Sequence, residues 1–177
     1  MKTIEIERRF LFENLPPEAP VKTYEIEQAY LNRKPVLRIR RKVRISDAGT
    51  AQGNAAAKGG ASYECTYKGK HTGAIGKEEV NLPLNAESYE HLKSKADGII
   101  LYKTRHVYDL GGGLQAEADV FGEPYEDLKI VEVEFSSEEA AAAFTPPAWF
   151  GEEVTGVKRY SNASLAYELN NAEYRHL

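Results

Sequence analysis

The chain has 177 residues, of which 42% are hydrophobic and 28% charged, with a formal net charge of −4. This length fits one ordinary domain and is sufficient to bury a core. The acidic balance argues against a general nucleic-acid-binding protein, and no apolar run approaches the ~20 residues that a membrane-spanning helix needs. Cys65 is the single cysteine, so no internal disulfide can form, and we expect a cytoplasmic protein.

The predicted elements are mostly strands. Hydrophobic alternation and turn residues predict, in chain order, strands over 3–12, 24–32, 35–45, 63–69, 77–82, 99–109, 114–121 and 128–135. Helices are predicted over 85–97, 137–144 and 161–173, beginning at Asn85, at the Ser136-Ser137-Glu138-Glu139 capping box and at Ser161. Gly98 is predicted to lie just past the end of the first helix. The stretch 46–62, rich in Gly, Ala and Ser, is predicted to be a flexible insertion. We find no repeat or linker, so residues 1–177 are predicted to form a single domain.

Roughly eight strands with few helices predict a mainly β (α+β) protein, with an antiparallel sheet closed into a barrel. The predicted strands carry charge on one face and apolar residues on the other. The charged face collects Glu5, Glu7, Arg9, Arg38, Arg40, Lys68, Glu79, Lys103, Arg105, Glu117, Asp119, Glu132 and Glu134. The apolar face collects Ile6, Leu37, Ile39, Cys65, Tyr67, Val80, Val131, Val133 and Phe135.

Two arrangements explain these faces. The first is an ordinary sheet or barrel whose charged face is solvated, and for any one strand it is the simpler explanation. The second is a barrel with a charged interior and an apolar exterior that the three helices cover. A solvated face does not need Arg and Glu at paired i, i+2 positions in strand after strand, so the repeated pattern favours the charged interior.

A charged interior predicts a particular ligand. Buried charges are costly unless they are paired or bound to a ligand. Arginine matches phosphate oxygens with two donors, and lysine acts as a point charge. The carboxylates cannot face a polyanion directly and need divalent cations, which bridge carboxylate and phosphate oxygens. The pattern therefore predicts a metal–polyphosphate ligand and phosphoryl-transfer chemistry or a related reaction.

Seven short motifs occur in an order that matches a known family. They are Glu5-Ile6-Glu7-Arg8-Arg9, Val36-Leu37-Arg38-Ile39-Arg40, Thr66-Tyr67-Lys68, Lys103-Thr104-Arg105, Ala118-Asp119-Val120-Phe121, Val131-Glu132-Val133-Glu134-Phe135 and the segment from Gly151 to Asn162. Each is weak alone, but together they resemble the CYTH superfamily, the triphosphate tunnel metalloenzymes. The resemblance implies an eight-stranded antiparallel barrel whose tunnel binds a triphosphate with Mg²⁺ or Mn²⁺.

The resemblance also implies roles for individual residues. Glu5, Glu132 and Glu134 would be the metal ligands, and Glu7 would help to hold a second metal and orient the attacking water. Asp119 and Glu79 would add to these carboxylates. The residues that would hold the triphosphate are Arg9, Arg38, Arg40, Lys68, Lys103 and Arg105. Tyr30 would lie near Arg9 at the catalytic centre, and either Arg159 or Lys158 would close one end of the tunnel.

Two positions depart from the family pattern. The signature of the first strand usually ends in lysine, whereas this chain has Arg9. Arginine stays charged at any relevant pH, so Arg9 can hold phosphate but cannot act as a proton donor. The usual acidic pair before the first helix is replaced by Lys77-Glu78-Glu79, of which only Glu79 aligns with the pattern.

Three functions fit the sequence. The first is a metal-dependent triphosphatase acting on inorganic tripolyphosphate or a small organic triphosphate, and we favour it. The second is an adenylyl cyclase of the same family, which would need a nucleoside pocket that the sequence does not indicate. The third is a non-catalytic polyphosphate-binding module, which would need fewer acidic residues. The expected partner is thus a small triphosphate substrate, and we expect no binding to nucleic acid or membrane. The sequence leaves open whether the chain forms a homodimer.

Overall fold

Eight antiparallel strands form a closed barrel in the computed structural model, which describes residues 2–47, 60–72 and 76–167. The strands are β1 (Lys2–Leu11), β2 (Lys22–Arg33), β3 (Val36–Asp47), β4 (Ala61–Thr72), β5 (Gly76–Leu84), β6 (Asp97–Gly111), β7 (Leu114–Phe121) and β8 (Lys129–Glu134). Around the barrel they follow the order β1-β5-β4-β3-β2-β6-β7-β8. The predicted fold class is confirmed.

Three helices lie outside the strands: α1 (Ala86–Lys93), α2 (Glu138–Ala143) and α3 (Asn162–Tyr167), the last preceded by a 3-10 helix (Lys158–Tyr160). Side-chain oxygens cap all three helices, and the predicted caps Asn85 and Ser161 are confirmed. The Asn85 side chain accepts from the Ser88 N–H at 2.7 Å, and the Ser161 hydroxyl accepts from the Ser164 N–H at 3.1 Å. For α2 the cap is Ser137, which accepts from the Ala140 N–H. Residues 168–173 of the predicted third helix lie outside the described residues.

The prediction that the first helix extends to residue 97, with Gly98 just past its end, is wrong. The helix ends at Lys93, because the N–H groups of Lys95 and Ala96 bond to carbonyls three residues back and tighten the last turn. Gly98 instead belongs to the start of β6. It has φ +82, and a Cβ there would overlap the Ala166 carbonyl of α3.

The predicted insertion is shorter than 46–62. Strand β3 stays paired with β2 as far as Asp47, and β4 begins at Ala61, opposite Val43. Continued pairing satisfies the backbone donors and acceptors of these end residues, which composition alone assigned to a loop. The rest of the predicted insertion, residues 48–59, lies outside the described residues.

Strand register places the predicted charged face inside the barrel. Directly opposed residues on neighbouring strands point to the same side. Pairs of this kind that join charges of opposite sign include Arg9 with Glu132, Arg105 with Asp119 and Lys68 with Glu79. The apolar residues between them point outward, so the arrangement with a charged interior is the one observed.

The hydrophobic core therefore lies mainly outside the barrel, between its wall and the helices. One cluster packs Tyr89 of α1 on Ile39 and neighbouring residues, and a second packs α2 on β1, β7 and β8. A third joins Leu165 and Ala166 of α3 to Leu101 and Phe121. Leu101 and Phe121 oppose interior positions of the adjoining strands, so this cluster also closes one end of the barrel. Within the described ranges, no helix is long and apolar enough to cross a membrane.

Candidate active site

A cavity of about 380 Å³ lies inside the barrel, and seven of the eight strands contribute to its lining. Ten of the predicted site residues line it: Glu5, Glu7, Arg9, Arg38, Arg40, Lys68, Glu79, Arg105, Glu132 and Glu134. The remaining lining residues are Ile4, Lys42, Glu64, Asn81, Glu117 and Asn162. Period-two alternation in the strands is what delivers so many charges to one space.

Strands β1 and β8 bring Glu5, Glu7, Glu132 and Glu134 together, and we call this group the carboxylate side of the cavity. Two of its members are paired with cations from other strands. Glu5 contacts Lys68 at 2.6 Å, and Glu132 contacts Arg105 at 3.1 Å.

Arg9, which lies on β1 itself, connects two members of the carboxylate side. Its guanidinium pairs with Glu7 and lies 3.1 Å from Glu132. The charge of Arg9 is therefore shared between two carboxylates.

The carboxylate side carries more negative charge than its cations neutralise. Burial and the neighbouring Glu132 raise the pKa of Glu7 to about 7. Burial and the charges of Glu117 and Glu5 also raise the pKa of Glu134. The pKa of Glu132 is lowered instead, because Arg9 and Arg105 outweigh its burial. A cation entering the cavity would relieve the repulsion among these groups.

The opposite wall presents Arg38 and Arg40 of β3, which we call the arginine pair. Their closest hydrogen-bond partners are neutral. The Arg38 Nη2 donates to the Thr66 hydroxyl at 2.8 Å, and Arg40 donates from Nε and Nη2 to the Gln28 Oε1 at 3.2 and 3.1 Å. Both guanidiniums reach Glu64 only at 3.5 and 3.4 Å. The arginine pair therefore lacks a close carboxylate partner, with Glu64 as its nearest ion-pair contact.

Lys103, Arg105 and Asp119 form a buried ion group at the edge of the cavity. Both Asp119 oxygens accept from Arg105 at 2.7 Å, and Lys103 also donates to this carboxylate. These cations hold the pKa of Asp119 below its usual value despite full burial. Burial lowers the pKa of Lys103 to about 8. Asp119 and Lys103 thus neutralise each other and do not line the cavity.

Two further predicted site residues also lie away from the lining. Tyr30 is buried inside the barrel, where its hydroxyl accepts from the Gln28 amide at 2.9 Å and burial raises its pKa to about 12. Arg159 is exposed on the 3-10 helix, and its Nη2 donates to the Tyr160 hydroxyl at 2.7 Å. The alternative, Lys158, is exposed beside it and lines a separate outer pocket. The structure brings neither cation to the cavity.

No family model matches the chain. Curated relatives do match it: an inorganic triphosphatase of Nitrosomonas europaea is 36% identical over 93% of this chain and 98% of its own length. An inorganic triphosphatase of Acetivibrio thermocellus is 36% identical over 56% of this chain and 62% of its own length. This chain belongs to the CYTH superfamily of triphosphate tunnel metalloenzymes.

Solved structures agree with CYTH membership. The crystal structure of an inorganic triphosphatase matches 92% of this chain and 93% of its own, with a TM-score of 0.60 and 34% identity. A protein from Pyrococcus horikoshii OT3 matches 91% of this chain and 94% of its own, with a TM-score of 0.58. Its sequence identity is 16%, so this match shows a shared fold alone.

The carboxylate side has the donor chemistry that a divalent-metal site requires, since hard divalent cations prefer carboxylate oxygens. Burial and neighbouring carboxylates raise the pKa values of Glu7 and Glu134, and a bound cation would offset both effects. Among the described residues, however, no three His, Cys, Asp or Glu side chains converge closely enough to hold an ion. Glu5 and Glu132 would have to exchange a cationic partner for the metal.

Gln28 and Thr66 belong to the site but were not among the predicted residues. Both side chains are fully buried, and each holds one member of the arginine pair. The available signal was their position, since Gln28 and Thr66 share inward parity with Tyr30 and Lys68. The role of a neutral side chain on a charged face depends on the charged residue that it contacts, and the pattern within one strand does not identify that residue.

Proposed function

We propose that this chain is a triphosphatase that uses Mg²⁺ or Mn²⁺ to hydrolyse inorganic triphosphate. The observation that carries the proposal is the cavity, in which the carboxylate side lies opposite an arginine pair that has no close carboxylate partner. One wall suits a divalent cation and the other suits phosphate oxygens. The identity to inorganic triphosphatases over most of the chain supports the same reaction.

Glu5, Glu7, Glu132 and Glu134 would hold the metal, with Glu79 as a further carboxylate nearby. A bound divalent ion would supply a Lewis-acid charge to the phosphate oxygens. Because Glu79 contacts Lys68 at 3.1 Å, it also holds one of the predicted phosphate-binding cations in place. The chain thus provides more carboxylates than cations on this side of the cavity.

The cations of the chain bind the triphosphate and stabilise the charge that develops as water attacks the terminal phosphorus and pyrophosphate leaves. Arg38 and Arg40 contact the phosphate oxygens from one wall, and Arg9, Lys68 and Arg105 contact them from the other strands. The carboxylate of Glu7 orients the attacking water, and Arg9 keeps its proton throughout. Hydrolysis by this arrangement depends on positioning and electrostatic stabilisation.

The lining favours an inorganic substrate over a nucleotide. Ile4 is the one apolar side chain that lines the cavity within the described ranges, and no aromatic side chain there offers a surface for a base. A nucleoside or thiamine group would have to remain outside the cavity mouth. Inorganic triphosphate with its metal would contact both the arginine pair and the carboxylate side.

The test is an assay of the purified chain with tripolyphosphate, ATP and thiamine triphosphate. We expect phosphate release from tripolyphosphate with Mg²⁺ or Mn²⁺, complete loss of turnover with EDTA and recovery when the metal is restored. Phosphate, pyrophosphate and cyclic AMP are measured in the same samples. Cyclic AMP and pyrophosphate formed from ATP would contradict the proposal in favour of a cyclase, and tight binding without any turnover would indicate a binding module.

A further inference from the structure

Most cations in or beside the cavity fall into two groups according to what holds them. Lys68 and Arg105 each contact a carboxylate at 2.7 Å or less, and Arg9 and Lys103 are also directly paired with carboxylates. Arg38 and Arg40 differ, because their closest partners are the Thr66 hydroxyl and the Gln28 amide oxygen. Glu64, the carboxylate that they share, is more distant and has a 37% exposed side chain.

Gln28 is placed to orient Arg40 without neutralising it. Its Oε1 accepts from both Nε and Nη2 of Arg40, so the planar guanidinium is fixed by two hydrogen bonds. Its amide nitrogen donates to the Tyr30 hydroxyl at 2.9 Å, which fixes the orientation of the amide in turn. Gln28 itself is fully buried and cannot reorient toward solvent.

Thr66 does the same for Arg38 through a chain of neutral groups. Its hydroxyl accepts from Arg38 at 2.8 Å and donates to the Asn81 side-chain oxygen at 2.6 Å. Asn81 donates in turn to Glu79 at 2.7 Å, so two neutral side chains separate the carboxylate at the end of this hydrogen-bonded series from the guanidinium. In the part of the chain that the structure describes, the buried Arg38 Nε has no hydrogen-bond partner.

We propose that Gln28 and Thr66 are positioning residues that aim the arginine pair at the substrate while leaving both charges available to it. A carboxylate in either place would orient the guanidinium equally well but would compete with phosphate for it. The charge balance around Arg40 agrees, since burial and the charges of Arg38 and Arg105 lower its pKa to about 10. The inference rests on the proposed function, because it takes a polyphosphate as the ligand.

The decisive comparison is between Gln28→Glu and Gln28→Met. Glutamate keeps the acceptor for Arg40 and can accept from the Tyr30 hydroxyl, but it adds a negative charge. Methionine removes the acceptor and leaves Arg40 charged. If neutrality matters, Gln28→Glu binds tripolyphosphate at least about tenfold more weakly than wild type, or ~1.4 kcal/mol, and more weakly than Gln28→Met. A purely structural role predicts the reverse order, because glutamate preserves the contacts.

Binding is measured by calorimetry with tripolyphosphate in EDTA, where no turnover is expected, and KM and kcat are measured separately with Mg²⁺. We expect the loss in Gln28→Glu to appear chiefly in KM. The matched control is Asn85→Asp, which makes the same amide-to-carboxylate change at the α1 cap on the outer face, where either residue caps the helix. This control should bind and turn over tripolyphosphate as wild type does.

A second pair of variants tests Thr66 independently. Thr66→Val removes the hydroxyl with little change in shape and should weaken tripolyphosphate binding several-fold, whereas Thr66→Ser should restore it. Thr104→Val on the outward face of β6 is the control for replacing a threonine in this sheet. Equal binding by Thr66→Val and Thr66→Ser would overturn the assignment of Thr66.

The outcomes also separate this inference from the proposed function. If wild type hydrolyses tripolyphosphate but Gln28→Glu binds it as tightly as wild type, the inference alone is wrong. If wild type binds tripolyphosphate without hydrolysing it and the predicted order of variants holds, the proposed function alone is wrong. Absence of both binding and turnover by wild type, with Mg²⁺ as well as in EDTA, would overturn both.

Discussion

Charged side chains on the outer face of the barrel differ from those on the inner face in whether their ion pairs connect to further ion pairs. On the outer face, Arg8 donates to the Ala141 and Phe144 carbonyls at 2.9 Å and pairs with Glu153 at 2.7 Å. These contacts attach α2 and the following segment to β1. All of these partners of Arg8 belong to α2 and the segment that follows it, which suits a structural role.

On the inner face, the contacts continue from one residue to the next. Glu132 lies between Arg9 and Arg105, and Arg105 extends the chain of contacts to Asp119 and Glu117. Because Glu132, Arg105 and Asp119 each have more than one charged partner, a ligand can replace one of their contacts without leaving a buried charge alone. The comparison indicates that outer charges stabilise the fold, whereas inner charges are arranged to exchange partners.

The largest effect is expected from the centre of the inner network. Glu132→Gln removes a carboxylate that we assign to the metal and that contacts both Arg9 and Arg105. We expect turnover of tripolyphosphate to fall by about a hundredfold or more, equivalent to ~2.7 kcal/mol of barrier. Circular dichroism should show an intact barrel. Activity within about tenfold of wild type would mean that Glu132 does not hold the metal.

Two adjacent arginines offer a sharper contrast, since they point to opposite faces of β1. Arg9→Met should reduce turnover by about tenfold or more, because it leaves Glu7 and Glu132 without a shared cation. Arg8→Met should leave turnover per folded molecule unchanged but lower the free energy of unfolding by about 2 kcal/mol through lost charged hydrogen bonds.

Kinetics and denaturant unfolding of both arginine variants check this contrast. Arg9→Lys is a further control, because a lysine at this position keeps the charge, and it should retain most of the activity. If Arg8→Met lost activity at full stability, the division into inner and outer roles would be wrong.

A smaller effect is expected where α1 meets the barrel. Glu27 accepts from the Tyr89 hydroxyl at 2.8 Å and from Lys93 at 2.9 Å on the outer face. Glu27→Gln keeps an acceptor for Tyr89 and loses the ion pair with a partly exposed lysine, so the free energy of unfolding should fall by less than about 1 kcal/mol. Thermal unfolding measures the change, and tripolyphosphate turnover should not alter. A marked loss of turnover would show that the outer face also contributes to the site.

The strand pattern and most of the site could be predicted because they depend on local periodicity. Glu5, Glu7 and Arg9 share one side of β1 whatever β1 pairs with, and the same holds for Arg38 and Arg40 on β3. The end of α1 could not be predicted in this way. Gly98 fits the ordinary signal for a helix end, but its conformation is required by the approach of Ala166 from a distant part of the chain.

The sequence by itself determined which side chains share a face, since the alternation of a strand is a property of its own backbone. It also determined the helix caps, because a cap needs only a polar side chain that accepts a hydrogen bond from the N–H three residues later. The tertiary structure decided the partners. Strand order and register placed Asp119 between Lys103 and Arg105 and aligned Arg40 with Gln28, and packing left Arg159 outside the cavity. Charge pairing depends on distances between strands far apart in sequence, which the pattern within any one strand does not contain.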